Sequence, residues 1–245
     1  MALSIDERIR MLFAEWQGDW DPRPPNVSWL LRDLRKLIPA RGPADAVAEH
    51  PNLLASQCLL TAVDFLGRFY NHKLPSEIRW KSSPPPRILA YTNKQARAFS
   101  SQHMGGRTLG DSAIEFLESP CFPDAYREPL YVRRSGRVTK TTKAKAVWKA
   151  FRHGHVHGYV QKRLKLDSGG IILGQASWEG RRHLEVWWSR AHGVNVFQLG
   201  VRPLHRELVN AVTKLQRLLG DRKERELRRR FAVAFDLWRR PDRID

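Results

Sequence analysis

The sequence predicts a mainly α fold, a helical bundle with a small antiparallel β-hairpin or sheet inserted before the final helices. Three observations carry this. Apolar residues recur at helical intervals near both ends of the chain, with Ile5, Ile9, Leu12, Phe13 and Trp16 at the start and Leu204, Leu208, Val212, Leu215 and Leu219 late. The stretch Pro51 to Tyr70 is apolar around nearly its whole circumference, which marks a central core helix. From Ile171 to Trp188 the period shortens to that of strands, with Leu184, Val186 and Trp188 alternating with Glu185 and Trp187.

Taken in order, Ser4 and Glu7 have the spacing of a capping box and open the first helix. Asp21 to Pro25 breaks it, and Trp29 to Ile38 forms a second helix. Residues 1–43 thus read as an N-terminal helical extension, ended by the linker Pro39 to Pro43, and 44–220 as the main domain. Within that domain, 72–107 is a proline-rich insertion, because Pro84, Pro85 and Pro86 remove backbone donors and fix the dihedrals. Short helices are expected over Leu109 to Leu117 and Asp124 to Arg133, and a clearer one over Lys140 to Phe151. Ile171 to Trp178 and Leu184 to Trp188, joined by the turn Glu179-Gly180-Arg181-Arg182, form the hairpin at 171–189, with Val194 to Leu199 as a third strand. Pro203 opens the next helix. Residues 221–245 form a basic C-terminal helix with Leu227, Phe231, Phe235 and Trp238 on one side and Arg228 to Arg230 on the other.

Composition narrows the function. The 245 residues carry 43 Lys and Arg against 25 Asp and Glu, a net charge of +18, so a polyanionic partner, nucleic acid above all, is expected. No apolar run approaches a membrane span and no signal peptide opens the chain, so no membrane partner is expected. Cys58 and Cys121 stand alone, which fits a reducing cytoplasm. There is no Walker loop, no Gly-x-Ser-x-Gly elbow and no His-Glu-x-x-His.

The charge is localised. Between Glu128 and Asp167 lie 38 residues without an acid. They include Arg133, Arg134, Arg137, Lys140, Lys143, Lys145, Lys149, Lys162, Arg163 and Lys165. Surfaces normally mix signs, so this stretch is expected to follow phosphates; a solvated basic face balanced by distant acids is the alternative. The C-terminal helix offers a second basic face or, since Glu224 and Glu226 dilute it, helix support or partner binding.

Inside the stretch stands Phe151-Arg152-His153-Gly154-His155-Val156-His157-Gly158-Tyr159. It admits three readings. His153, His155 and His157 could ligate a metal, but no acid or cysteine is near in sequence and the surrounding cations repel one, so no cofactor is expected. Arg152 could simply bond the last carbonyls of its helix. Or the cluster is catalytic. Arg, a polar residue, three residues and His, here Arg152, His153 and His157 at the end of an aromatic-rich helix, resembles the signature of the HEPN superfamily. These are helical-bundle proteins that include many prokaryotic ribonucleases. The long apolar helix with Asp64 and Gly67 near its end is similar to their first helix, and a hairpin followed by a last helix resembles one bacterial branch. The resemblance covers about residues 44–220 in architecture and about eight residues in motif; residues 1–43 and the proline-rich insertion fall outside it.

That resemblance implies a metal-independent endoribonuclease of a bacterial toxin–antitoxin or defence system, with RNA as substrate, a homodimeric cleft and an acidic antitoxin as a further partner. His157 would be general acid or base, Arg152 would stabilise charge on the scissile phosphate, and His153 would orient it. Asp64 and Tyr159 would support these residues from behind, although Arg68 at i+4 offers Asp64 a local partner. A non-catalytic nucleic-acid binder or adaptor with the same fold is the alternative. Trp178, Trp187 and Trp188 are expected in the core rather than on a base-stacking surface.

Overall fold

The structure is a computed structural model that describes residues 3–15, 26–38, 49–72, 111–134, 137–153, 163–165, 171–178, 182–190 and 193–239. Its helices are α1 (Ile5–Phe13), α2 (Val27–Leu37), α3 (Glu49–Tyr70), α4 (Asp111–Leu117), α5 (Lys143–Val147), α6 (Val201–Gly220) and α7 (Arg225–Trp238). A 3-10 turn covers Asp124–Arg127 and a π-helical turn Trp148–His153. The strands are β1 (Pro129–Arg134), β2 (Arg137–Thr142), β3 (Arg163–Lys165), β4 (Ile171–Ser177), β5 (Val186–Ser189) and β6 (Val194–Gly200). The fold is therefore mainly α, as the periodicity predicts.

Local chemistry sets the helix starts. Ser4 and Glu7 close a reciprocal capping box, Ser4 N donating to the Glu7 carboxylate at 2.7 Å and Glu7 N to the Ser4 hydroxyl at 3.2 Å. Asn26 caps α2 by accepting from Trp29 N at 3.1 Å, and its amide donates to the Ala14 carbonyl at 3.0 Å, tying α2 to the end of α1.

α3 is the central helix, with Leu59, Leu60, Val63 and Leu66 without exposure. Gly67 is required there, because a Cβ would stand 2.4 Å from the Ser112 carbonyl oxygen, so the backbones of α3 and α4 meet directly. α7 packs along α3 through aromatic rings, Phe69 meeting Phe231 at 5.8 Å and Trp238 at 6.0 Å. Edge and tilted contacts of this kind add to the area buried. Ile9, Leu12, Leu34, Phe231 and Phe235 share one core with α3 and α6. The described helices α1, α2 and α7 thus pack into the same bundle.

The sheets depart from expectation twice. Asp124 to Arg133 is not a helix; after the 3-10 turn, β1 pairs antiparallel with β2 in a separate two-stranded ribbon. Leu130, Tyr131, Val132, Val138, Thr139 and Thr141 are strand formers, and this β preference overrides the helical spacing. For the same reason the next helix begins at Lys143, with Thr142 as its cap, rather than at Lys140.

Nor do 171–178 and 184–188 form a hairpin with each other. The second sheet has the order β3-β4-β6-β5, so β6 lies between them, parallel to β4 and antiparallel to β5. The sheet is mixed rather than purely antiparallel. Val196 and Phe197 point to opposite faces and are both fully buried, and a strand apolar on both sides belongs in the middle of a sheet. β5 is left at the edge, with Trp188 57% exposed. The expectation that all three tryptophans are core fails at Trp188; Trp178 packs partly against the core. Trp187 is half-buried, donating to the Gln198 side chain at 3.0 Å beneath the Arg182 guanidinium. The proline-rich insertion lies outside the described residues but for His72.

Candidate nucleic-acid interface and the arginine turn

The described parts of the acid-free segment, the ribbon, α5, the π-helical turn and β3, are linked by contacts to one another. α5 follows β2 directly and packs against both strands of the ribbon, the π-helical turn continues α5, and β1 approaches β3. In the ribbon register Tyr131 faces Lys140, Arg133 faces Val138 and Arg134 faces Arg137. Side chains alternate along a strand, so Pro129 and Tyr131 share a face with Lys140 and Thr142. The opposite face is the inner one at the ribbon's base, since Leu130 is buried while Tyr131 and Lys140 are exposed.

The acids bordering the segment are already engaged. Glu118 accepts from the Thr142 hydroxyl, and Glu128 binds Lys143 at 2.6 Å. Lys143, its side chain only 18% exposed, is therefore paired with an acid at the base of the ribbon. Lys140, Lys145 and Lys149 are exposed. Arg133, Arg134 and Arg137 lie at the far end of the ribbon, and Arg163 lies on β3.

Arg152 and His153 close the π-helical turn. Such turns widen the helix by one residue and recur at functional sites. Phe151 anchors this one: fully buried, its ring stands 6.3 Å from Phe197 of the central strand. A Cβ on Gly174 would stand 3.2 Å from the Phe151 ring, so β4 passes close beneath the turn there. His155, His157, Tyr159 and Lys162 lie outside the described residues. Asp64 is bonded to Arg68 at 3.2 Å, the local i+4 pair, which gives its carboxylate a role within α3. Among the described residues no group of His, Cys, Asp and Glu could hold a metal ion.

A second polar constellation escapes sequence reasoning. The Tyr126 hydroxyl donates to the Glu207 carboxylate at 2.7 Å, and His183 Nε2 lies 3.1 Å from the same oxygen. His183 Nδ1 accepts from Gly200 N at 2.9 Å, which puts the ring proton on Nε2, facing Glu207. Burial and the Glu207 charge push the Tyr126 hydroxyl well above its ordinary pKa, so it remains a donor. The next residue, Leu184, is buried with φ 61°, a left-handed conformation that costs a bulky residue of the order of 1–3 kcal/mol. Together these bonds hold the 182–184 turn to the start of α6 and the 3-10 turn. Glu207 also lines a surface cavity of about 260 Å³ with Cys121, Pro123, Asn210, Thr213 and Lys214. Burial raises the Cys121 thiol, as it does Cys58, away from the range of a thiolate nucleophile. The partners are 57 and 81 residues apart in sequence, and no local spacing announces them.

No described helix is long and apolar enough to cross a membrane. No family model, curated protein or solved structure matches the chain.

Proposed function

We propose that this protein is a HEPN-like, metal-independent endoribonuclease that binds RNA through the basic ribbon and its neighbouring helix. The observation that carries the reading is that the ribbon, α5 and β3 of the acid-free segment meet one another, and that the π-helical turn bearing Arg152 continues α5. The chemistry needs no metal because RNA brings its own nucleophile, the 2′-hydroxyl. His157 takes the proton of that hydroxyl or returns one to the departing 5′-oxygen, as an imidazole titrating near neutral pH can. Arg152 stabilises the charge that builds on the phosphorane oxygens, and His153 orients the phosphate. By the same resemblance, two copies form the cleft and an acidic antitoxin neutralises it in a toxin or defence system of the cytoplasm. The competing reading, a binder or adaptor without turnover, is favoured by the ribbon itself, whose exposed surface serves binding whether or not Arg152 acts.

RNA cleavage by the purified protein in excess chelator separates them. The wild type is expected to cleave. Arg152→Ala and His157→Ala are each expected to lower the rate about 10²- to 10³-fold while RNA affinity is largely kept. Equal background in all three proteins would leave the binder.

A further inference from the structure

We infer that Tyr131 is a base-stacking residue, so that the ribbon selects unpaired nucleotides; this rests on the nucleic-acid part of the reading above, not on cleavage. Tyr131 is 50% exposed, whereas the adjacent Leu130 is buried, so the alternation of the strand turns the phenol outward. It stands beside a cation, the exposed Lys140 being its cross-strand partner. The other large apolar side chains exposed among the described residues, Leu54, Val186 and Trp188, all lie outside the acid-free segment. Trp188 is the more exposed ring, but β5 begins beside Glu185, which repels phosphate.

An aromatic face flanked by positive charge suits one ligand chemistry, an unpaired base whose flanking phosphates meet the cations. In a duplex the base faces are already stacked on one another, so the ring finds no partner there. The long-range attraction of the Lys and Arg residues acts on any polyanion, whereas Tyr131 acts only where a base is free.

The test compares binding of two single-stranded 12-mers of equal charge, oligodeoxyuridylate and its abasic counterpart. Both lack the 2′-hydroxyl, so binding is read without turnover. The wild type is expected to prefer the base-bearing strand by about 5- to 100-fold, the span that base–aromatic stacking covers. Tyr131→Ala is expected to abolish that preference with no change in salt dependence, and Tyr131→Phe to keep it. Thermal melts confirm that the exposed side chain is removed without unfolding. A Tyr131→Ala variant that still prefers bases overturns the inference and leaves the nucleic-acid reading standing. A wild type that binds neither strand at physiological salt overturns both.

Discussion

α7 carries four arginines and the ribbon three, yet the two regions dispose of their charge in opposite ways. Arg228, only 9% exposed, donates to the Leu219 carbonyl and to Asp6 at 2.6 Å. Arg230 bonds Glu226 at 3.0 Å and Asn71 at 2.8 Å, and from α1 Arg8 reaches Asp236 at 2.9 Å. These cations fasten the first, third and last helices to one another. Of the readings open for this helix, Arg228 and Arg230 thus serve helix support. On the ribbon the neighbouring acids Glu118 and Glu128 are used at its base, and none lies within the segment. A basic sequence marks a binding surface only where acids are out of reach, and reach is decided by the fold.

The largest effect expected from breaking this contrast is on affinity. Replacing Arg133, Arg134 and Arg137 together by Ala removes about three phosphate contacts. The slope of log K against log salt for single-stranded RNA should then fall by about 2, and affinity at low salt by roughly 100-fold. Thermal stability should hold, because the bonds at the base of the ribbon are left in place. Titrations at several salt concentrations, alongside melts, read both quantities. Equal slopes for wild type and variant would show that these arginines meet no phosphate.

The reciprocal change is Arg228→Ala. It leaves the Leu219 carbonyl without its donor and Asp6 without its partner, so a loss of about 1–3 kcal/mol is expected, several degrees in melting temperature for a chain of this length. RNA affinity should not change. A variant that binds less RNA at full stability would make α7 a second interface after all.

The same contrast explains what could be read in advance. The capping box of α1, the apolar circumference of α3, the inward row of Phe231 and Phe235, and the Asp64–Arg68 pair are all local, fixed by residues three or four apart. The hairpin of β1 and β2 was also within reach. Its cue is a two-residue Ser135-Gly136 connection between runs of Tyr, Val and Thr, and helical spacing masked it. Arg228 was not legible, since Asp6 lies 222 residues away, and neither was the insertion of β6 between β4 and β5, which tertiary burial decides. For the site, sequence found the acid-free stretch and the Arg152 motif. It could not tell Lys143, tied to Glu128, from its exposed neighbours Lys140 and Lys145.

Acid should loosen the two regions differently, and this is the smallest of the expected effects. The Arg228 hydrogen bond holds the Asp6 carboxyl below its ordinary pKa of 3.8, and the Ser4 hydrogen bonds hold Glu7 below its own. A carboxyl depressed in the folded state stabilises it fully above the ordinary value. The contribution is lost as pH falls through the folded one, because the unfolded chain takes up protons first. The clamp of α1 on α7 should therefore weaken below about pH 4, whereas the ribbon segment carries no carboxylate to titrate. In melts between pH 6 and 3, wild type should begin more stable than Asp6→Asn, and the gap should close on the acid side. A gap constant with pH would mean that Asp6 contributes by packing or helix capping rather than by charge, and the staple at this end would then rest on Arg8 and Asp236 instead.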